Sequence, residues 1–149
     1  MSHVWGKMGL LYAPTSINRH PKLATHAANP VPVHIKGDVF RICFSGRDSK
    51  NRSSVGAVDI DIVTQKVLRE SNTPLLIHGN KGTFYADGIS IGNLYETDGG
   101  RFILFMGWQN PASEHWRGAI GSIRVHDDLN LSPAFSHPIM GADAEDPPN

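Results

Sequence analysis

The chain has 149 residues, which suits one domain with a sizeable core, and its 14 basic and 14 acidic residues give a formal net charge of zero. A neutral chain is not expected to bind nucleic acid or an anionic membrane through bulk charge. The sequence contains no run of about 18 apolar residues, so no membrane span is predicted. The N-terminal segment MSHVWGKMGLLYAP lacks the long apolar core of a signal peptide, so we expect a cytoplasmic protein.

The first half of the chain predicts strands separated by turn residues. Apolar residues alternate with polar ones on both sides of the polar loop SGRDSKNRSS, which is typical of half-buried antiparallel strands. Residues 8–12 form a candidate short strand near the N-terminus, and 73–77 an extended connector. Between them, the predicted strands cover residues 30–35, 40–45, 55–63 and 66–70. The lone cysteine, Cys43, lies in the second of these and is interpreted as a small strand residue rather than a nucleophile.

The second half predicts a similar series of strands. They cover residues 88–95, 101–106, 118–126 and, more weakly, 134–137. The segment HGNKGTFYADG is interpreted as a loop, and residues 141–149 as a flexible tail. No segment shows helical periodicity, so the sequence predicts an all-β fold.

Three landmarks of the first half recur in the second half in the same order. They are Gly46 and Gly107, 61 positions apart, Gly56 and Gly121, 65 apart, and Pro74 and Pro138, 64 apart. A repeat of this period is close to one four-stranded propeller blade with its loops. We therefore predict a single domain over 1–149 with two antiparallel four-stranded blades, a partial propeller, at about 23–77 and 84–140. The alternative is two unrelated hairpins.

Several motifs, taken together in order, resemble one known group of proteins. They are W-x-K-x-G-L at residues 5–10, His26-Ala27, FSGRD-x-x-NRS at 44–53, Asp87-Gly88, Gly107-Trp108, A-I-G at 119–121 and Pro138-Ile139. The set resembles the amino-terminal part of five-bladed β-propeller proteins related to glycoside hydrolases, the group of arabinanases, xylosidases, invertases and mannoside phosphorylases. It is most similar to an uncharacterised branch associated with polysaccharide loci. The chain departs from that group in having two blades, and in Asp127-Asp128-Leu129 where a DGG-type turn is expected.

Propeller geometry places the residues before each inner strand and after each second strand on one face. That face would collect His26, Asn29, Arg47, Asp48, Asn51, Arg52, Asp87, Trp108 and Gln109. An indole can stack on a sugar ring, while guanidinium and amide groups bind hydroxyls or an anion. The resemblance implies an acid near the start of the second inner strand, where Asp87 lies. The candidate catalytic residues are Asp87 and Asp48, and the candidate substrate-binding residues are His26, Arg47, Arg52, Trp108 and Gln109.

Each candidate also has a structural interpretation. Asp87 would cap an Asp-Gly turn, and Arg47 with Asp48 would form a surface pair that contributes little. Trp108 would be a rim core residue and His26 a structural histidine. The eight histidines lack tight ligand spacing, so neither a metal site nor another cofactor is expected.

Glycoside hydrolysis normally needs two carboxylates that flank the bond. Asn29 occupies the start of the first inner strand, where the resemblance implies an acid, so full two-carboxylate catalysis within one chain is not expected. Phosphorolysis needs one acid and an anion site, for which Arg47 and Arg52 are candidates. The sequence therefore predicts a carbohydrate-binding or carbohydrate-active protein, with hydrolase and phosphorylase chemistry both left open. The alternative is a non-enzymatic scaffold or interaction protein.

Two blades cannot close a ring, and open blades expose apolar flanks and strand edges. We therefore expect a homo-oligomer, either a dimer or a trimer, that buries them. Exchange of the strand predicted at residues 8–12 between subunits is one route to such an assembly.

Overall fold

A computed structural model describes residues 6–7, 9–14, 19–112 and 115–141. This part of the chain is all-β, as predicted, with a single 3₁₀ turn at Pro21–Leu23. The strands are β1 Thr25–Lys36, β2 Val39–Arg47, β3 Ser53–Asp61, β4 Lys66–Glu70, β5 Gly88–Thr97, β6 Gly100–Gln109, β7 Arg117–Val125, β8 Leu131–Pro133 and β9 Met140–Gly141. Within the described ranges, no helix is long and apolar enough to cross a membrane.

The strands form one open sheet made of two antiparallel meanders. The first meander joins β1 to β4 in chain order, and the second joins β5 to β8. Strand β9 pairs with β7 through Ile120 and Met140. One parallel pair, Ser53 on β3 with Gly88 on β5, links the two meanders within the sheet. The first meander therefore has four strands, and the second has four with β9 added; that they are propeller blades stays a prediction.

The predicted strand bounds agree with the structure at some positions and are wrong at others. Strand β4 has the predicted bounds, whereas the last strand of the second meander lies at Leu131–Pro133 instead of 134–137. The turn before it closes early, because the His126 amide donates to Asn130 O and Leu129 adopts φ 65°. The chain therefore begins to pair with β7 at Leu131, directly after the turn. Of the tail predicted at 141–149, Gly141 lies in strand β9, and residues 142–149 lie outside the described part of the chain.

The strand predicted at residues 8–12 is also wrong for the residues that the structure describes. Residues 9–14 carry no strand, and Met8 lies outside the described part. Leu11 and Tyr12 instead pack, as irregular chain, on a buried cluster of Phe44, Val58 and Ile60. The segment thus covers the outer face of the first meander, by which we mean the face turned away from the second meander.

One pair of glycine landmarks, Gly56 and Gly121, has the same structural cause in both meanders. Phe44 lies opposite Gly56, and Phe105 lies opposite Gly121. A Cβ atom on Gly56 would be 2.7 Å from the Phe44 ring, and one on Gly121 would be 2.5 Å from the Phe105 ring. Each ring therefore occupies the space above a glycine of the neighbouring strand, which no larger residue could share without a shift.

The main core lies between the two meanders. The first meander contributes Val31, Val33, Cys43, Val55 and Ala57, and the second contributes Ile89, Ile91, Ile103, Phe105 and Ile123. Burial raises the pKa of the Cys43 thiol to about 12, so Cys43 stays protonated at neutral pH and acts as a small core residue. Because the apolar side chains come from both meanders, neither meander has a complete core of its own.

Ser45 makes polar contacts across to the second meander, and a buried ion pair of Arg41 with Asp59 lies within the first meander. The Ser45 hydroxyl donates to Ile89 O and accepts from the Ile91 amide, each at 3.0 Å. Arg41 forms a bidentate pair with Asp59, with Nε–Oδ1 at 2.8 Å and Nη2–Oδ2 at 2.9 Å. Arg41 and Asp59 are each only 9% exposed. These contacts satisfy buried polar groups at the face where the second meander packs.

Candidate functional site

Three loops meet at one end of the sheet and enclose a cavity of about 600 Å³, which we call the loop cavity. The loops follow β2, precede β5 and follow β6. The polar residues that line the cavity are Arg52, His78, Asn80, Lys81, Asp87, Gln109 and Arg117. Since the first meander supplies Arg52 and the second supplies Gln109 and Arg117, the cavity spans the junction of the two units.

Asp48 is the centre of the β2–β3 loop. Its Oδ1 accepts hydrogen bonds from the Lys50 and Arg52 amides, both at 2.9 Å, and its Oδ2 accepts from Arg52 Nε at 2.9 Å. The Lys22 ammonium lies 3.6 Å from Oδ2. The carboxylate therefore closes its own loop and fixes the Arg52 guanidinium at the wall of the loop cavity.

The same contacts determine the charge of Asp48. Burial works to raise the pKa of this carboxyl, but hydrogen bonds from the backbone and side chain of Arg52 outweigh it and hold the pKa below its ordinary value. Asp48 is therefore ionised at neutral pH. An ionised carboxylate with these partners is suited to positioning Arg52 and not to donating a proton.

We expect Asp48→Asn to destabilise the protein at pH 7 by about 1.5–3 kcal/mol, the usual value for hydrogen bonds to a charged group. The folded-state pKa of Asp48 is lowered, so its stabilisation is present above the unfolded pKa of about 3.9 and is lost as pH falls through the folded value. Urea unfolding of both proteins should show a difference that shrinks below about pH 4. A difference that is unchanged at pH 3 would contradict this account.

A contact between Lys22 and His78 connects the 3₁₀ turn before β1 to the loop before β5. Lys22 Nζ lies 2.7 Å from His78 Nε2, and His78 Nδ1 lies 3.1 Å from Gly79 O. Because an ammonium has only donors, Nε2 accepts and the ring proton sits on Nδ1. These two contacts anchor the loop that carries Lys81.

Asp87 links the remaining two loops. Its Oδ2 accepts from the Asn110 amide at 2.8 Å, and its backbone carbonyl accepts from the Ser53 amide at 3.3 Å. Gln109 donates from Nε2 to Thr83 O at 2.8 Å. These bonds hold the Asp87 carboxylate at the wall of the cavity that Arg52 also lines.

The chain is similar to two proteins of Mycobacterium tuberculosis. They are the uncharacterized protein MT1551 of strain CDC 1551 / Oshkosh and the uncharacterized protein Rv1502 of strain ATCC 25618 / H37Rv. Each is 35% identical over 144 residues, which are 96% of this chain and 48% of the relative. The chain thus spans about half the length of these curated relatives. No family model matches the sequence.

The structure brings together part of the predicted site. Arg52, Asp87 and Gln109 line the loop cavity, and Asp48 lies directly behind Arg52. The prediction placed these residues at the end of the sheet where β5 begins and where β2 and β6 finish, and they do lie at that end. Their roles toward a ligand remain predictions.

The other predicted site residues lie outside the cavity lining. His26 is exposed at φ 64°, with Nδ1 against Thr25 Oγ1 at 2.9 Å, and Arg47 is exposed at the end of β2. Trp108 lies against Gly88 and donates from Nε1 to Ser53 Oγ at 3.3 Å. The Trp108 indole therefore packs between strands, in a place where it has a structural role.

Four residues near the cavity were missed from the sequence. His78, Lys81 and Arg117 line the cavity, and Trp116, which is 53% exposed, precedes Arg117. His78 and Lys81 belong to the loop before β5, Trp116 to the loop after β6, and Arg117 is the first residue of β7. Extending the argument from strand direction along both loops would have found them.

The charges at the cavity favour an anionic or hydroxyl-rich ligand. Arg52, Lys81 and Arg117 supply positive charge, and Asp87 supplies one carboxylate. Guanidinium groups bind carboxylate, phosphate and vicinal hydroxyls through paired N–H donors. In the part of the chain that the structure describes, no three His, Cys, Asp or Glu residues are grouped as metal ligands.

Proposed function

We propose that the chain is a carbohydrate-binding protein of the glycosidase-like propeller type, and that its saccharide occupies the loop cavity. The observation that carries the proposal is the convergence of Arg52, Asp87 and Gln109 from three loops on one cavity of about 600 Å³. A cavity of this size takes a small saccharide, and fixed polar groups at its wall would orient the hydroxyls.

The two meanders would be two blades of an incomplete propeller. Supporting this proposal, each has four antiparallel strands, each carries a phenylalanine over a glycine, and the second packs face to face on the first. The relatives are about twice as long as the matched region, which leaves room for further blades in them. Their whole-length activity is likewise a matter of proposal.

Within the cavity, we assign roles from charge and position. Asp87 would accept hydrogen bonds from sugar hydroxyls, and Arg52 would bind a hydroxyl pair or an anionic group. Trp116, exposed beside Arg117, is better placed than Trp108 to stack on a sugar ring at the rim. His26 and Arg47 would contribute only to a ligand that extends beyond the cavity.

The site favours binding, or chemistry with a single acid, over two-carboxylate hydrolysis. Asp87 lines the cavity, whereas Asp48 is held by Arg52 and by two backbone amides. Retaining or inverting hydrolysis needs two carboxyl groups that flank one bond. If the protein is an enzyme, phosphorolysis with Asp87 as the acid and the cavity cations as the phosphate site is the chemistry we propose.

We expect Asp87→Asn and Arg52→Gln each to weaken saccharide binding about tenfold or more, since each removes a charged hydrogen-bond partner. A glycan array identifies the best oligosaccharide, and isothermal titration measures its affinity for each variant. Asp98→Asn is the matched control, because Asp98 is exposed in the β5–β6 turn at the opposite end of β5. Reducing-sugar release with and without phosphate tests turnover.

Two results would overturn the proposal. One is an array on which no glycan is bound by the folded protein. The other is an Asp98→Asn variant that weakens binding as much as Asp87→Asn does.

The second candidate function is a non-enzymatic scaffold that forms a homo-oligomer, either a dimer or a trimer. Apolar side chains that remain exposed on the second meander, including Ile139 at 48% and Met140 at 70%, favour this candidate. It is compatible with saccharide binding, because these residues lie away from the loop cavity. Light scattering behind a sizing column tests it directly.

A further inference from the structure

The loop cavity and the residues directly behind it carry more positive than negative charge. Asp48 is the counterion of Arg52, with Nη2–Oδ2 at 2.8 Å, but the Lys22 ammonium also lies 3.6 Å from the same oxygen. Lys81 and Asp87 line the cavity and add one charge of each sign. Three cations therefore accompany two carboxylates (3 − 2 = +1), in a chain whose formal net charge is zero. A cleft with an excess of one charge attracts ions of the opposite sign.

Arg52 is held so that one edge of its guanidinium can bind a ligand. Its Nε and Nη2 atoms lie 2.9 and 2.8 Å from Asp48 Oδ2, so the carboxylate occupies the side edge of the planar group. Among the described residues, none forms a hydrogen bond with Nη1. The edge between Nη1 and Nη2 has two parallel N–H donors, which match the paired oxygens of a carboxylate or a phosphate. Because Arg52 lines the loop cavity, a ligand there would meet a donor pair that Asp48 has already oriented.

Lys81 reaches the same cavity from a loop that is closed by its own hydrogen bonds. The Gly79 amide donates to Tyr85 O at 3.0 Å, and the Thr83 amide donates to Asn80 O at 3.1 Å. These bonds fix the backbone on both sides of Lys81 at the cavity. Within the described ranges, the Lys81 ammonium makes no hydrogen bond or ion pair. Its charge can therefore pair with an anion that enters the cavity.

We propose that the saccharide bound in the loop cavity is acidic, and that Arg52 and Lys81 bind its carboxylate or phosphate group. The inference rests on the proposed function and names the ligand class of the same site. Asp87 would face hydroxyl groups of the sugar, because a carboxylate accepts hydrogen bonds and repels an anion. A neutral saccharide would leave the guanidinium edge and the ammonium without an opposite charge, so it would bind more weakly.

A glycan array that carries uronic acids, sugar phosphates and neutral glycans tests the ligand class. We expect the most tightly bound glycan to be acidic. Isothermal titration of its carboxyl-reduced or dephosphorylated form should show binding about tenfold weaker or more, as loss of a charged hydrogen-bond partner does. The group whose removal weakens binding identifies the anion as a carboxylate or a phosphate. Raising NaCl from about 0.05 M to about 0.5 M should weaken binding of the acidic glycan and leave that of its neutral form unchanged.

Variants of one lysine test which cation reads the charge. Lys81→Gln should weaken binding of the acidic glycan about fivefold or more and barely change that of its neutral form, whereas Lys81→Arg should keep the preference for the acidic glycan. Lys36→Gln is the matched control. It changes the net charge equally, and Lys36 is exposed at the end of β1 that lies far from the loop cavity.

The outcomes separate this inference from the proposed function. If no glycan binds the folded protein, the proposed function fails and the inference fails with it. If the most tightly bound glycan is neutral, or if loss of its acidic group leaves the affinity unchanged, the cavity still binds a saccharide but the acidic class is wrong. A Lys36→Gln variant that loses the preference as Lys81→Gln does would also overturn it. So would inorganic phosphate that binds as tightly as the acidic glycan, because the cations would then serve a separate anion.

Discussion

Replacing Asp59 with alanine is expected to destabilise the protein by about 3–5 kcal/mol, as removal of one partner from a buried ion pair usually does. The loss is large because Arg41 would keep its charge at a site that is 9% exposed, with Asp59 as its bidentate partner. The remaining protein contact of Arg41, from Nη1 to Leu129 O at 3.5 Å, is long and cannot replace a carboxylate. Urea unfolding at pH 7 measures the difference.

A control variant and a double variant identify the cause. Asp38→Ala, at an exposed position in the β1–β2 turn, should change the free energy of unfolding by less than about 0.5 kcal/mol. Arg41→Met combined with Asp59→Leu should be much less destabilised than Asp59→Ala alone, because it removes both charges and keeps apolar volume. If the double variant is the less stable of the two, the unpaired guanidinium is not the source of the loss.

Truncation of Phe105 to alanine is expected to cost about 3–5 kcal/mol. The ring is 2% exposed, stacks on Phe84 at 5.6 Å and meets the edge of Tyr85 at 5.8 Å. It also fills the space above Gly121. Removing it would leave a cavity between the two meanders, and the strands on either side limit how far the surrounding side chains can move to fill it. Denaturant unfolding with an unchanged m-value would attribute the loss to the folded state.

Gly121→Ala provides the second half of a double-mutant cycle. Alone it should cost about 1–3 kcal/mol, because the new methyl group would lie 2.5 Å from the Phe105 ring. In the Phe105→Ala background the cost should be smaller, although the Phe84 ring at 2.7 Å prevents full relief. Strict additivity of the two changes would contradict the assigned contact.

Much of the fold is predictable from local pattern. Alternation predicts the strands that flank the polar loop around Asp48, and the repeated glycines Gly56 and Gly121 each lie under a phenylalanine ring of the neighbouring strand. The last strand was misplaced because its position depends on the left-handed Leu129, a residue type that rarely marks such a turn. The predicted strand near Tyr12 was wrong because Leu11 and Tyr12 pack on the first meander as irregular chain and do not pair with a neighbouring strand.

The candidate site was predictable only in part. Strand direction alone places Arg52, Asp87 and Gln109 at the same end of the sheet. The orientation of Trp108 depends on a hydrogen bond to Ser53, 55 positions away, which no local pattern encodes. Lys81 lies on an irregular loop and Arg117 at the first position of β7, directly after another loop, and periodicity gives no information about which side chains converge there.

The division of the core between the two meanders has a consequence for either meander taken by itself. Each meander supplies the ring that covers its own glycine, yet apolar side chains of β1 and β2 share one buried cluster with those of β5 and β6. The first meander alone would leave that inner surface open to water. It would therefore have to associate with another apolar surface to stay folded in solution.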